Sequence, residues 1–246
     1  KPFSQTYLKA INNQLTAMFN YAVKYYDLHE NPCTKAGSMG KSHAEEMNFW
    51  TKAEFEQFIV AVQDKPASYT AFMTLYYTGM RVGELCALTP ADVDLEGHTI
   101  TINKTFQRIN GRDVIWPPKT PKSNRVVTIP QTLANCLKEY MDKCYEIQPD
   151  DRLFPYTKSF LNHEMLRGCK KSGVKKIRVH DLRHSHASLL IEMGCQPLLI
   201  ADRLGHEKIQ TTLNTYSHLY PNKQAEVAAQ LENVMNGTTV PNGSQM

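Results

Sequence analysis

Residues 98–130 read HTITINKTFQRINGRDVIWPPKTPKSNRVVTIP. This is the one clear β region of the chain. Apolar and polar residues alternate over 98–103, Asn110-Gly111 is a strong hairpin turn, 113–116 returns, and 125–130 makes a further strand. On both sides of it the apolar spacing is helical. The fold class expected is therefore mainly α with a small antiparallel β-sheet on one edge. Downstream, helices are expected over about 131–147, 158–172, 180–193, 197–203, 207–216 and 222–235, with Gly194 and Gly205 where C-terminal caps belong.

Upstream, Thr51 and Glu54 form the capping box of a helix running to about 63. A second helix follows over about 67–77, broken by Thr78-Gly79 before a helical turn that starts near Arg81. Phe106, Trp116 and Tyr76-Tyr77 read as core. In the first 30 residues Leu8, Ile11, Leu15, Phe19 and Ala22 keep helical spacing, and Asn31-Pro32 stops the run. Small, polar and charged residues then read as a linker. The expected organisation is a helical piece at 1–36, a linker at 37–49, a main domain at 50–236 and a frayed tail at 237–246.

Composition removes several classes of protein. A 41% hydrophobic, 21% charged chain of 246 residues is not mainly disordered. No apolar run approaches the ~20 residues of a membrane span. Its first ten residues, KPFSQTYLKA, carry no apolar secretion signal. Cysteines 33, 86, 136, 144, 169 and 195 form no CxxC pair and suggest reduced thiols, so a cytoplasmic location is expected. Charge is uneven: 104–125 carries six Lys/Arg against one acid, and 163–183 seven against two. Such clusters suit a polyanion or a pair of solvated basic faces.

The densest polar cluster is HDLRHSH at 180–186. On a helix His180, Arg183 and His184 share a face and could converge on an anion. Two histidines four apart could instead chelate zinc, but the Glu of HExxH is missing and Arg183 would repel a dication. A buried salt bridge is the third reading. His206 follows Gly205 at a helix start, Arg81 stands at another with Glu84 able to brace it, and Lys119 lies in a turn rich in Lys, Pro and Ser. No GxxxxGK[ST] loop offers to bind ATP, and no carboxylate cluster offers to bind Mg²⁺.

TGMRVGEL at 78–85, PPKT at 117–120, HDLRH at 180–184, LGH at 204–206 and TLNTYSH at 212–218 together resemble the tyrosine recombinases, the phage-integrase superfamily. The likeness covers roughly 50–235 and is strongest to integrases of bacterial phages and conjugative transposons. The first 45 residues resemble only the later helices of that family's DNA-clamping core-binding domain. The His206-to-Tyr216 spacing is one residue longer than the family's commonest, with Tyr220 the nearest other tyrosine. The resemblance implies that Arg81 and Arg183 clamp the scissile phosphate, His206 adds a hydrogen bond, His180 acts as acid/base near the nucleophile, Lys119 protonates the departing 5′ oxygen, and Tyr216 attacks phosphorus. It implies no metal or other cofactor. The implied partners are double-stranded DNA attachment sites, a tetrameric synapse in which helix 222–235 docks in trans, and an excisionase or DNA-bending accessory protein. Lys122, Arg125, Lys170, Lys171, Lys175, Lys176 and Arg178 are expected to contact DNA phosphates. The rival readings are a DNA-binding module without catalysis and a type IB topoisomerase.

Overall fold

A computed structural model describes residues 2–41, 48–118 and 120–220, together with Ala228, Glu232 and Met235. The chain divides into two compact units, 1–48 and 49–246.

The first unit holds α1 (Gln5–Tyr25) and α2 (Pro32–Ala36). Ser4 caps α1 by accepting from the Tyr7 amide. Asparagine side chains do most of the stitching. Asn31 donates to the Thr16 carbonyl at 3.0 Å and to Asn20 Oδ1 at 2.7 Å, and Asn12 Oδ1 accepts from the Met39 amide. Residues 38–41 thus lie along α1.

In the second unit α3 (Lys52–Ala61) opens with the expected capping box, both reciprocal bonds present. It is followed by α4 (Pro66–Thr78) and the short α5 (Val82–Leu85). The apolar sides of α3 and α4 meet through aromatic rings: Phe55 stacks on Tyr76 at 3.7 Å, and Phe58 meets both Trp50 and Phe72. Trp50 is also tied by hydrogen bonds to the Lys175 carbonyl and to Ser185 Oγ.

The β region is two ladders rather than one. Strands β1 (Val93–Asp94) and β2 (Thr99–Ile102) form a three-stranded antiparallel sheet with a strand from beyond the hairpin, β2 lying in the middle. The hairpin itself, β3 (Thr105–Ile109) and β4 (Arg112–Trp116), pairs only within itself. Strand β5 (Arg125–Thr128) then pairs with β2. The chain departs the sheet at Lys104, whose ammonium is drawn to Asp92 and Thr89. Leaving the sheet also corrects the reading of Trp116. It is 50% exposed, because among the described residues nothing covers it, whereas Phe106 and Tyr76 are core and Tyr77 is half-buried.

Helix α6 (Gln131–Asp142) stops five residues before the expected end, and Glu146 just beyond takes a positive φ. Then come α7 (Lys158–Ser172), α8 (Leu182–Glu192), α9 (Pro197–Leu204) and α10 (Ile209–Tyr216). The turn before α8 is 3₁₀, closed by the Arg178 amide donating to Asp181. Of the expected helix 222–235, only Ala228, Glu232 and Met235 are described, all helical and exposed; the rest lies outside the described residues. No described helix is long and apolar enough to cross a membrane.

Candidate active site

The site is built where helices end. Helix α4 stops at Gly79, whose φ of +66° puts it in the left-handed region; a Cβ there would sit 2.5 Å from the His186 ring. The turn presents Arg81 as the cap residue of α5. Glu84, three residues on, reaches back to both the Arg81 amide and Nη1 at 2.8 Å. Glu84 is only 5% exposed and holds a second cation, Arg125 Nη2, at 2.8 Å. Burial alone would raise the Glu84 carboxyl, but the Arg125 and Arg81 bonds outweigh it and hold the group below the usual carboxylate range. Arg125 also donates to the Ser123 and Arg203 carbonyls. Expected at the DNA surface, it is instead a buried brace, because almost every donor of its fork is committed to protein.

Arg183 lies buried on α8 and donates to the Gly79 and Leu204 carbonyls, the ends of two other helices. Burial and the neighbouring Arg81 cation push its pKa down to about 9, so it stays charged at neutral pH. Gly205, at φ +66°, closes α9, and His206 follows with its Nδ1 sharing a 2.7 Å hydrogen bond with Thr212 Oγ1. Burial, then Arg183 and Arg81, lower the His206 imidazole to about 4. His180 stands at the rim, its imidazole also lowered by partial desolvation and then by Arg183 and Arg81.

Arg81, His180 and His206 line one cleft of about 670 Å³, with Pro118 and Thr120 on its wall. Lys119, between those two, lies outside the described residues. Tyr216 ends α10, is 1% exposed, and does not line the cleft; its hydroxyl shares a 2.8 Å hydrogen bond with His184 Nδ1. Burial pushes its phenol up to about 12, opposed by the Arg183 charge. Tyr220 has a buried hydroxyl with no hydrogen-bond partner among the described residues.

The remaining basic residues divide by partner. Lys122 is exposed on the turn beside Gly205. Lys170 and Lys176 are exposed, while Lys171 lies 3.9 Å from Asp64, Lys175 3.3 Å from Glu54, and Arg178 is chelated by Asp181. Two residues escaped the sequence reading, Lys104 and Lys158, which line the cleft. His184, read in the sequence as sharing a helix face with His180 and Arg183, holds the Tyr216 hydroxyl, a contact the spacing did not reveal. The third histidine, His186, is structural: it is buried and accepts from Arg203 Nε, whose other nitrogens bond the Tyr77 and Thr128 carbonyls. Among the described residues no group of three or more His, Cys, Asp or Glu is placed to hold a metal ion.

Comparison with known proteins meets this geometry. The sequence profile of the phage integrase family matches residues 48–223. The chain is 33% identical over 244 residues to the ICEBs1 integrase of Bacillus subtilis, covering 92% of this chain and 66% of that protein, and so just under two thirds of its length. It is 29% identical over 280 residues to the integrase of Staphylococcus phage L54a, covering 95% and 79%. In fold it is similar to the solved Tn1549 transposon integrase in complex with circular intermediate DNA, with a TM-score of 0.77 and 22% identity over 94% of this chain and 80% of that one. With the matched profile spanning more than half of its residues, the chain belongs to the phage integrase family.

Proposed function

We propose that this chain is the strand-transferring part of a site-specific DNA recombinase, which cuts and rejoins DNA through a covalent 3′-phosphotyrosyl link to Tyr216 and so integrates or excises a mobile element. One observation carries the reading: Arg81, His180 and His206 line one cleft, the buried Arg183 acts electrostatically on both histidines, and the Tyr216 hydroxyl bonds His184, one turn beyond His180.

The chemistry follows from charge. A phosphodiester under attack accumulates negative charge on its non-bridging oxygens, and guanidinium forks match those oxygens in geometry and sign. Arg81 and Arg183 would clamp them, with His206 adding a donor, a preorganised field of the kind that dominates many rate enhancements. His180 would act as acid/base beside the nucleophile, and Lys119 would protonate the departing 5′ oxygen. A second strand's 5′ hydroxyl would later displace Tyr216. One phosphoester replaces another at each step, so neither ATP nor a metal is called for. Lys122, Lys170, Lys171, Lys175, Lys176 and Arg178 would track flanking phosphates, with Arg125 acting through Glu84.

In this reading 1–36 contributes part of the DNA clamp and 50–236 the catalytic domain. Four copies assemble on paired attachment sites in the cytoplasm, with helix 222–235 docking in trans and an excisionase or DNA-bending protein in attendance.

The test is a duplex library nicked so that the cleaved 5′ end diffuses away, incubated in EDTA with wild type and Tyr216→Phe. Wild type should form a covalent protein–DNA adduct that the mutant does not. DNA binding without an adduct would favour a binding-only module, and supercoil relaxation without exchange between duplexes would favour a topoisomerase.

A further inference from the structure

The hydroxyl of Tyr216 is held by His184, one turn beyond His180. Its Nδ1 lies 2.8 Å from Tyr216 Oη, and its ring meets the His180 ring edge-on with centroids 5.7 Å apart. His184 has no part in the roles assigned above. We propose that His184, in place of His180, is the group that takes the proton of Tyr216 as the tyrosine attacks the scissile phosphate, leaving His180 to line the cleft beside it; apart from that reassignment the inference rests on the recombinase reading.

Three observations carry it. First, His184 is the hydrogen-bond partner of Tyr216 Oη. Arg183, the other group felt by that hydroxyl, has no lone pair to accept a proton. Second, His184 is in the right state. The groups facing it are His180, Asp181 and Arg178 from the preceding turn, Arg183 on its own helix, His206 after α9 and Tyr216 on α10. Burial and this mainly cationic surround lower the imidazole to about 4, so at neutral pH it is neutral. With Tyr216 donating, the Nδ1 lone pair accepts and the ring proton sits on Nε2. Third, Arg183 is one of the charges that depress His184. A phosphate anion bound against Arg183 would offset that charge, so the basicity of His184 would rise when the nucleophile is needed.

The step balances. The Tyr216 Oη–H bond breaks and a His184 Nδ1–H bond forms, giving imidazolium. The oxygen's electron pair makes the Oη–P bond, and the P–O5′ bond breaks toward the 5′ oxygen, protonated by Lys119 in the assignment above. On rejoining, the 5′ hydroxyl gives its proton to Lys119 and attacks phosphorus, the P–Oη bond breaks, and His184 returns its proton to the Tyr216 oxygen.

The experiment places sulfur at the bridging 5′ position of the nicked substrate. A thiolate leaves without a proton, so the adduct rate reports the attack alone. His184→Ala removes the acceptor. His184→Asn keeps an amide oxygen near the Nδ1 position, able to accept the same hydrogen bond but not to hold a proton. Both variants should bind DNA as wild type does and form adduct about 10²–10⁴-fold more slowly at neutral pH, the contribution typical of a general base. The deficit should shrink as pH rises and hydroxide replaces the base. A wild-type rate in either variant, rescue by His184→Asn alone, or a deficit equal at every pH would overturn the inference and leave the recombinase reading intact. No adduct from wild type would overturn both.

Discussion

Replacing Glu84 by alanine should destabilise the second unit by about 4 kcal/mol, and the figure follows from the contacts. Its carboxylate accepts from Arg125 Nη2 and Nη1 at 2.8 and 3.3 Å, and from the amide and Nη1 of Arg81, each at 2.8 Å. The Arg125 side chain is 6% exposed, so removing its counter-ion strands a buried guanidinium, a loss of roughly 3–5 kcal/mol. The Arg81 side chain is 40% exposed, and its ion pair adds at most about 1 kcal/mol. The orphaned Arg81 amide adds roughly 1 kcal/mol, the worth of a lost cap. Water entering the gap recovers part of the total. Urea unfolding at pH 7 measures it, and Glu84→Gln, which keeps one acceptor oxygen, should fall between wild type and alanine. Removing both charges in Glu84→Ala/Arg125→Met should recover a large part of the loss, because no unpaired ion is left. A loss below about 1 kcal/mol for Glu84→Ala, or a double variant as unstable as the two single losses together, would refute the buried-pair argument. The pair also has a pH signature. The folded pKa of Glu84 is depressed, so its contribution is complete above the ordinary value of 4.5 and is lost as pH falls through the lower folded value.

Two further outcomes are expected. Gly79→Ala forces a left-handed residue to carry a Cβ 2.5 Å from His186 and 2.8 Å from Leu204, both buried. It should lose about 2–4 kcal/mol in thermal unfolding and displace the carbonyl that holds Arg183, whereas an unchanged melting temperature would contradict the close approach. Acid should destabilise the fold early, because burial, reinforced by neighbouring charges, lowers His184 and His206 to about 4 and His186 to about 3, against roughly 6.5 unfolded. The folded state therefore binds fewer protons, so stability is complete above about pH 6.5 and falls toward pH 4, by up to roughly 1.4 kcal/mol per pH unit for each histidine. Equal urea midpoints at pH 7 and 5 would rule this out.

What the sequence revealed was whatever local chemistry dictates. The capping box at Thr51, the left-handed glycines at helix ends and the strands at 99–102 and 125–128 are written in neighbouring residues, and all are present, although the pairing of those two strands with each other is a long-range contact. The separation of the hairpin was not legible: the chain leaves the sheet at Lys104, whose ammonium bonds Asp92 twelve residues back, a contact that local pattern does not reveal. Trp116 followed from that miss. Among the proposed site residues, the resemblance carried by five short motifs picked out Arg81, His180, Arg183, His206 and Tyr216. Which basic residues face solvent and which are braces was hidden: Lys122 and Arg125 are three residues apart in one basic turn, yet one is exposed and the other buried against Glu84. That difference is set by contacts forty residues away.

The pairing of Tyr216 with His184 shows why such long-range packing matters for chemistry. Burial disfavours charge on either partner, raising the phenol to about 12 and lowering the imidazole to about 4. In the free protein the neutral pair is therefore strongly favoured, and a tyrosine among cations stays protonated although a base touches it. The charge of Arg183 acts oppositely on the two halves of the transfer. It favours phenolate but opposes imidazolium, so on its own it cannot move the proton from one to the other. An anion bound against Arg183 removes the opposition to imidazolium and is itself the electrophile that consumes the phenolate. Proton transfer is thereby tied to the presence of the phosphodiester, and a nucleophile placed this way is spent on DNA rather than on water or passing electrophiles.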